Sequence, residues 1–426
     1  MLFSIIVFFI FLIKNNSLSF QDNLLNKIIE NKKEENIMVS PLSIYQVLGL
    51  ISNGASGNTL KEILQVLFPG QQVTDNFVEK INTNIKEIIS HLESEKIIDS
   101  NSRLNLGCDG EDKENCIIKF YDVNGIFIKR GYKLKDDFTN ICKNYNTSFF
   151  ELIDAKQIND FCSENTNGKI EKVIDKIDPK TVLILINAIY FKGTWIEKFF
   201  EFNTKKRNFK NYDGKVVKID TMYKDFRSQM FYEDEKVQII SLPYISNKLN
   251  FRMIIILPNS QKYSSPLDYL NKEKINFSEV YSKLKYDGDQ EIHLYLPKFN
   301  YSFDIDLINI LKDMGMKLAF NESAEIEKLC EGVNTYVGEF AQNTYINLNE
   351  EGTEAAAVTS AVAYPVSVPN KVHYMYVNHS FIYMIQSDTL KDSENNYIMP
   401  FIGIVNKLDG EENNGTDDNN DIDKKI

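Results

Sequence analysis

The sequence predicts a single large α+β domain. Three observations predict it. Apolar residues recur at helical spacing through the first hundred positions. Period-two alternation and continuous apolar runs take over from about residue 117. No internal repeat and no Gly/Ser/Pro-rich linker divides the two regions. At 426 residues, 43% hydrophobic and 25% charged, the chain can bury a large core.

Taken in order, residues 2–13 form an unbroken apolar run too short to span a bilayer. Ser17-Leu18-Ser19 follows as a small-x-small cleavage pattern. The reading is a secretory signal peptide over 1–19, although its start lacks a basic residue. It predicts a secreted, extracellular protein with no membrane attachment after cleavage. Apolar spacing predicts a helix over 22–33, and 36–39 a short strand. Ser40-Pro41 then opens a helix, Ser as cap and Pro in the first turn, with Ile44, Val47, Leu48 and Ile51 on its apolar face. A break at 54–57 precedes helices over 58–67 and 76–96. Residues 108–116 read as an exposed insertion.

Strand character runs from 117 to 128. Helices are predicted over 136–145, 155–161 and 168–177. Residues 182–191 are apolar except Asn187, as in a strand buried on both faces. The sole tryptophan, Trp195, follows. Strands are predicted over 227–242, 250–257 and 292–299, a helix over 306–314, and strands over 343–348, 372–385 and 397–405. Residues 409–426 are rich in Asn, Asp and Glu and are expected to form a disordered acidic tail. The predicted organisation is therefore signal peptide 1–19, domain 20–408 and tail 409–426.

Residues 350–367 stand apart. Between Thr353 and Tyr364 there is no Gly, Pro, Asn or Asp, the residues that punctuate loops. With period two, Thr353, Ala355, Ala357, Thr359, Ala361 and Ala363 share one face, all small. Glu354, Ala356, Val358, Ser360, Val362 and Tyr364 share the other. That pattern suits a strand that slides between existing strands, one face on a core and the other toward water. Pro365 ends it, since Pro cannot donate to a central ladder. An Ala-rich helix is the competing reading; the β-branched residues and the Pro weaken it.

Several chemistries are disfavoured. A net charge of -12 argues against a nucleic-acid partner. His91, His293, His373 and His379 are scattered, so no metal site is expected. The chain has no GxGxxG, Walker, HExxH, CxxC or GxSxG motif, and neither a cofactor nor an enzyme activity is expected. Lys80, Lys86 and Lys96 lie among acidic residues, which gives heparin binding no support. Five cysteines (Cys108, Cys116, Cys142, Cys162, Cys330) are too few to build the fold; a local Cys108–Cys116 disulfide is conceivable, and the odd number leaves one thiol unpaired within the chain. Sequons at Asn146, Asn276, Asn300, Asn321, Asn378 and Asn414 fit a glycoprotein, with Asn300 and Asn378 disfavoured by their expected strand contexts.

The ordered set of motifs resembles the serpin family from about Asp22 to Leu408. Residues 36–44 and 54–59 resemble the shutter region, with Ser40 and Ser43. Residues 185–195 resemble the third strand of the main sheet, with Asn187 and the breach residue Trp195. Leu296-Pro297-Lys298-Phe299 matches a further marker. Glu350, Glu351, Gly352, Thr353, Glu354, Ala355, Ala356 and Ala357 resemble the reactive-loop hinge, and 377–381 and 400–403 the C-terminal strands. Two departures stand out: Gln342 replaces the usual shutter His, removing that pH-sensitive group, and Ser380 replaces the usual Pro before Phe381.

The resemblance implies three β-sheets, about eight to nine helices and an exposed reactive-centre loop. It implies a monomeric suicide inhibitor: a target serine protease cleaves the loop, forms an acyl-enzyme, and is trapped when the loop inserts into the main sheet. Family spacing places the scissile bond at Val366–Ser367, with Tyr364 and Pro365 read by the protease. Val366 suits a shallow apolar pocket, hence an elastase-like or subtilisin-like target. The segment from Ser367 to Phe381 is longer than family spacing, so bonds after Tyr364 or Val368 remain alternatives, as does Lys371 for a longer loop. The alternative function is a non-inhibitory serpin acting in binding, storage or chaperoning.

Overall fold

The computed structural model describes residues 18–95, 118–227, 229–286, 290–331, 335–353 and 371–412. The signal segment up to residue 17, Cys108 and Cys116, residues 354–370 and most of the acidic tail lie outside them.

Nine helices form among the described residues, in line with the expected eight to nine. They are α1 Phe20–Lys32, α2 Pro41–Gly54, α3 Gly57–Leu67, α4 Asn76–Glu95, α5 Asp136–Asn144, α6 Ala155–Asn165, α7 Pro266–Glu273, α8 Phe277–Lys283 and α9 Leu307–Asp313. The caps are those the sequence offers. The Ser19 side chain accepts from Asp22 N–H in a capping box, and Ser40 Oγ accepts from Ser43 N–H at the Pro-led start of α2.

The strands are β1 Ile37–Val39, β2 Lys119–Lys129, β3 Thr147–Leu152, β4 Leu183–Thr194, β5 Lys205–Lys210, β6 Val216–Arg227, β7 Met230–Glu233, β8 Val237–Pro243, β9 Arg252–Pro258, β10 Lys285–Tyr286, β11 Gln290–Pro297, β12 Phe299–Asp306, β13 Val337–Asn349, β14 Gly352–Thr353, β15 Lys371–Tyr376, β16 Phe381–Gln386, β17 Phe401–Val405 and β18 Glu411–Glu412. They form three sheets, as expected. The central sheet runs β12-β13-β14-β4-β2-β3. A seven-stranded sheet runs β1-β17-β16-β9-β8-β7-β10, and a five-stranded sheet joins β15, β11, β6, β5 and β18.

The central sheet is covered on both faces. Leu183, Leu185, Ile189 and Phe191 of β4 join the main core, while Ile184, Ile186 and Ala188 join a second cluster with Ile158 and Cys162 of α6. This is why β4 reads as one apolar run.

Three expectations are corrected. Residues 168–177 are not helical, because the Asn159 side chain takes the Val173 and Ile174 N–H groups and donates to the Ile174 carbonyl, replacing helical bonds. The single strand expected over 372–385 is two strands, β15 and β16, in different sheets. The turn between them carries exposed Asn378, so that sequon is not in a strand, whereas Asn300 is exposed within β12. The acidic tail does not leave the fold at Asp409: Glu411 and Glu412 pair with Lys218 and Val217 of β6.

Candidate functional site

The site is built on the β4–β13 seam. These strands pair in parallel from Val337↔Leu183 to Tyr345↔Tyr190. Beyond Tyr345 they part, and β14 fills the gap, pairing antiparallel with both: Leu348↔Thr353 and Asn349↔Gly352 on one side, Gly352↔Thr194 and Thr353↔Gly193 on the other. The central sheet is thus closed along most of its length and already admits two residues of a further strand at one end.

Midway along the seam, polar side chains interrupt the apolar inner face. Asn187 Oδ1 accepts from Gln342 Nε2 at 2.6 Å, directly across β4 and β13. Gln342 Oε1 in turn accepts from the Ser40 N–H at 2.9 Å, tying the seam to the start of α2. Asn187 Nδ2 donates to Ser43 Oγ and to Asn124 Oδ1 (2.8 Å). Asp122 Oδ1 accepts from Ser43 Oγ at 2.5 Å, from Asn124 Nδ2 at 3.1 Å and from Asn187 Nδ2 at 3.2 Å. Ser40, Ser43, Asn187 and Gln342 are fully buried, so each bond lost would leave a polar group without water to replace it.

The hinge is tethered at four points. The Glu350 carboxylate meets Lys298 Nζ at 2.8 Å and accepts from Thr204 Oγ1 at 2.7 Å. Burial alone would push its carboxyl up, but these bonds outweigh it and hold the group below its ordinary range. Glu351 forms an ion pair with Lys198. The Glu350 and Glu351 carbonyls accept from the N–H groups of Phe199 and Trp195, both at 3.0 Å, and Trp195 Nε1 donates to the Asn349 carbonyl at 3.2 Å. Gly352 has φ +152°, and a Cβ there would overlap the Gly193 carbonyl. Thr353 is 1% exposed, and its hydroxyl shares a 2.6 Å hydrogen bond with that of Tyr244, whose ring stacks on Trp195.

The structure therefore gathers Ser40, Ser43, Asn187 and Gln342 into one cluster, and Trp195, Glu350, Glu351, Gly352 and Thr353 into another. Glu354, Ala355, Ala356, Ala357, Tyr364, Pro365, Val366 and Ser367 lie outside the described residues. Sequence reasoning missed Asp122, Tyr244, Lys198 and Thr204, and it placed Lys298 in a family marker without a role at the hinge. Only Asp122 carried a signal, as an acid inside a strand, where Asp is depleted. It also alters the picture at Gln342: the cluster retains a titratable group, on β2. Ser380, in place of the usual Pro, donates its hydroxyl to the Asn406 carbonyl at 3.2 Å. Cys142, Cys162 and Cys330 are buried free thiols, pushed up by burial to about 12, about 12 and about 11, and so inert near neutrality. Among the described residues no group of three or more His, Cys, Asp or Glu could hold a metal, and no helix is long and apolar enough to cross a membrane.

A family model described as serpin (serine protease inhibitor) matches residues 14–403. The chain belongs to the serpin family. Among its relatives, human Serpin B4 is 30% identical, covering 84% of this chain and 91% of the relative. Antichymotrypsin-2 of Bombyx mori is 27% identical over 88% of this chain and 95% of the relative. The leukocyte elastase inhibitor of Xenopus tropicalis is 28% identical over 87% and 94%. In three dimensions the serpin is similar to the thermophilic serpin tengpin in its native state, with TM-score 0.75, 26% identity and coverage of 92% of this chain and 93% of that one. Family membership and inhibitory relatives support a role in protease inhibition. In serpin terms, the paired β4 and β13 correspond to a closed main sheet, and β14 holds Gly352 and Thr353 of the segment that resembles the hinge.

Proposed function

We propose that this serpin is a secreted inhibitor of an elastase-like or subtilisin-like serine protease and acts as a suicide substrate. The observation that carries the proposal is β14: Thr353, the first small residue of the alternating stretch, is buried between β4 and β13 with Gly352 laddered to both strands. Residues Ala355, Ala357, Thr359, Ala361 and Ala363 repeat that parity, so continued insertion would put only small side chains on the inner face. Each inserted residue gains ladder hydrogen bonds on both sides. The uninserted state is then held by kinetics, with the seam bonds among Ser40, Ser43, Asn187 and Gln342 as its fastening.

Protease attack at Val366–Ser367 frees the segment from Glu354 onward, and insertion carries the acylated protease with it. Tyr364 and Pro365 precede the bond and help select the enzyme. The 1–19 segment directs secretion, and the protein acts as a monomer. Incubation with pancreatic elastase and with subtilisin tests this. A denaturation-resistant complex is expected, together with a released peptide whose mass begins at Ser367. Cleavage without complex would overturn the inhibitory reading and leave a binding or storage role.

A further inference from the structure

Asp122 is a carboxylate without a counter-ion among the described residues, set in the hydrogen-bond network of the β4–β13 seam. The residue is half-buried, but its Oδ1 faces inward to Ser43, Asn124 and Asn187. Each of these partners is neutral. Helix α2, packed against it, has no charged residue, and its one titratable side chain, Tyr45, bonds to Asn84 and Ser393 instead. On β4 the only charged residue is Lys192, which is paired with Lys119 of β2, whereas Asp122 pairs with Ile189. That places both lysines three positions along the strand, about 10 Å away. The titratable Tyr190 and Tyr121 belong to the opposite parity, stacked on each other at 5.1 Å. On β13 the charged residue is Glu339 and the titratable one Tyr345, each three residues from Gln342. Burial, opposed only by neutral hydrogen bonds, pushes the Asp122 carboxyl up to about 6.

We infer that Asp122 is a pH-responsive latch on the β4–β13 seam, which keeps the sheet closed when protonated and favours its opening for the loop when ionised. The inference rests on the reading that the loop inserts, and it deepens that reading by giving insertion a control. The physical basis is linkage. In the closed sheet the half-buried carboxyl turns Oδ1 inward among neutral partners, so its charge is penalised. Parting β4 from β13 breaks the Asn187–Gln342 bond and lets water reach the group, whose proton affinity then falls toward the ordinary carboxylate value of 3.8. The open state binds fewer protons than the closed one between these limits, so raising the pH through this interval favours opening. The proton passes to solvent, and no other bond changes.

The test uses the full-length protein and a synthetic peptide of residues 353–363 as a strand supplied in trans, with Trp195 fluorescence as the readout. For the natural sequence, the rate of peptide insertion should rise between pH 5 and pH 8, by up to about tenfold. Asp122→Asn keeps the shape and an acceptor oxygen but cannot ionise; it should be slow and flat across the range. Asp122→Ser, a smaller neutral group, should be equally flat and guards against a folding defect in the first variant. Equal pH profiles in all three proteins would overturn the latch while leaving the inhibitor reading in place. Failure of the peptide to insert at any pH, with no protease complex, would overturn both.

Discussion

At the residue scale, the hinge is held by interactions that tolerate little change. Gly352 combines φ +152° with close contact to the Gly193 carbonyl. Gly352→Ala should expel β14 from the sheet at a cost of about 1–3 kcal/mol, read as a lowered Tm and altered Trp195 fluorescence. Thr353 faces Tyr244 in a fully buried site. Thr353→Arg would place a charge on the inserting face, and the variant should become a substrate: several protease equivalents turned over per complex formed, with cleavage itself no slower. Undiminished inhibition would contradict the assigned facing. Glu350 gives a pH prediction. Its carboxyl is held below the ordinary 4.5, so the tether is at full strength above that pH and is lost as pH falls through the depressed value. A fluorescence step from Trp195 should appear below pH 4.5 and move to higher pH in Lys298→Met.

At the scale of elements, the proposed mechanism makes the seam between β4 and β13 the place where insertion is controlled. Ser43→Ala removes the hydroxyl that links α2 to both Asp122 and Asn187. It should loosen the closed sheet by about 1–3 kcal/mol and speed insertion of the 353–363 peptide at pH 7; an unchanged rate would remove Ser43 from the fastening. The same packing explains which elements are legible in the sequence. β4 was legible because both its faces are covered, and α2 because Ser40 and Pro41 announce it. β5, with sequence Lys-Lys-Arg-Asn-Phe-Lys, carried no strand signal, since it shows one buried residue, Phe209, to the core and its three lysines to water, with Arg207 lying over the Tyr295 ring. The two apolar runs within 372–385, read as one strand, hid a change of sheet, because β15 and β16 each bury residues and only the short polar stretch at Asn378 to Ser380 separates them.

At the scale of the molecule, the proposed function makes closed and inserted sheets two arrangements of one chain. Completing β14 through Ala363 would add about ten residues to the centre of the sheet. At about 0.5–1 kcal/mol per net hydrogen bond this stabilises by several kcal/mol, and cleavage near Val366 should raise Tm by about 10 °C or more. Calorimetry before and after limited elastase digestion checks it, and an unchanged Tm would remove the insertion mechanism.

The sequence by itself determined the α+β class, the family, the polar interruption at Asn187 and the alternation of small residues from Thr353 to Ala363. These are local patterns, and local periodicity records which face of an element meets the core. Only the tertiary structure decided that Gln342 reaches Asn187 across two strands, that Lys298 and Thr204 hold Glu350, and that Asp122 sits within the seam's hydrogen bonds without a cation. Such contacts join positions tens to hundreds of residues apart, and pairing energy depends on distance in space. No spacing along the chain encodes it.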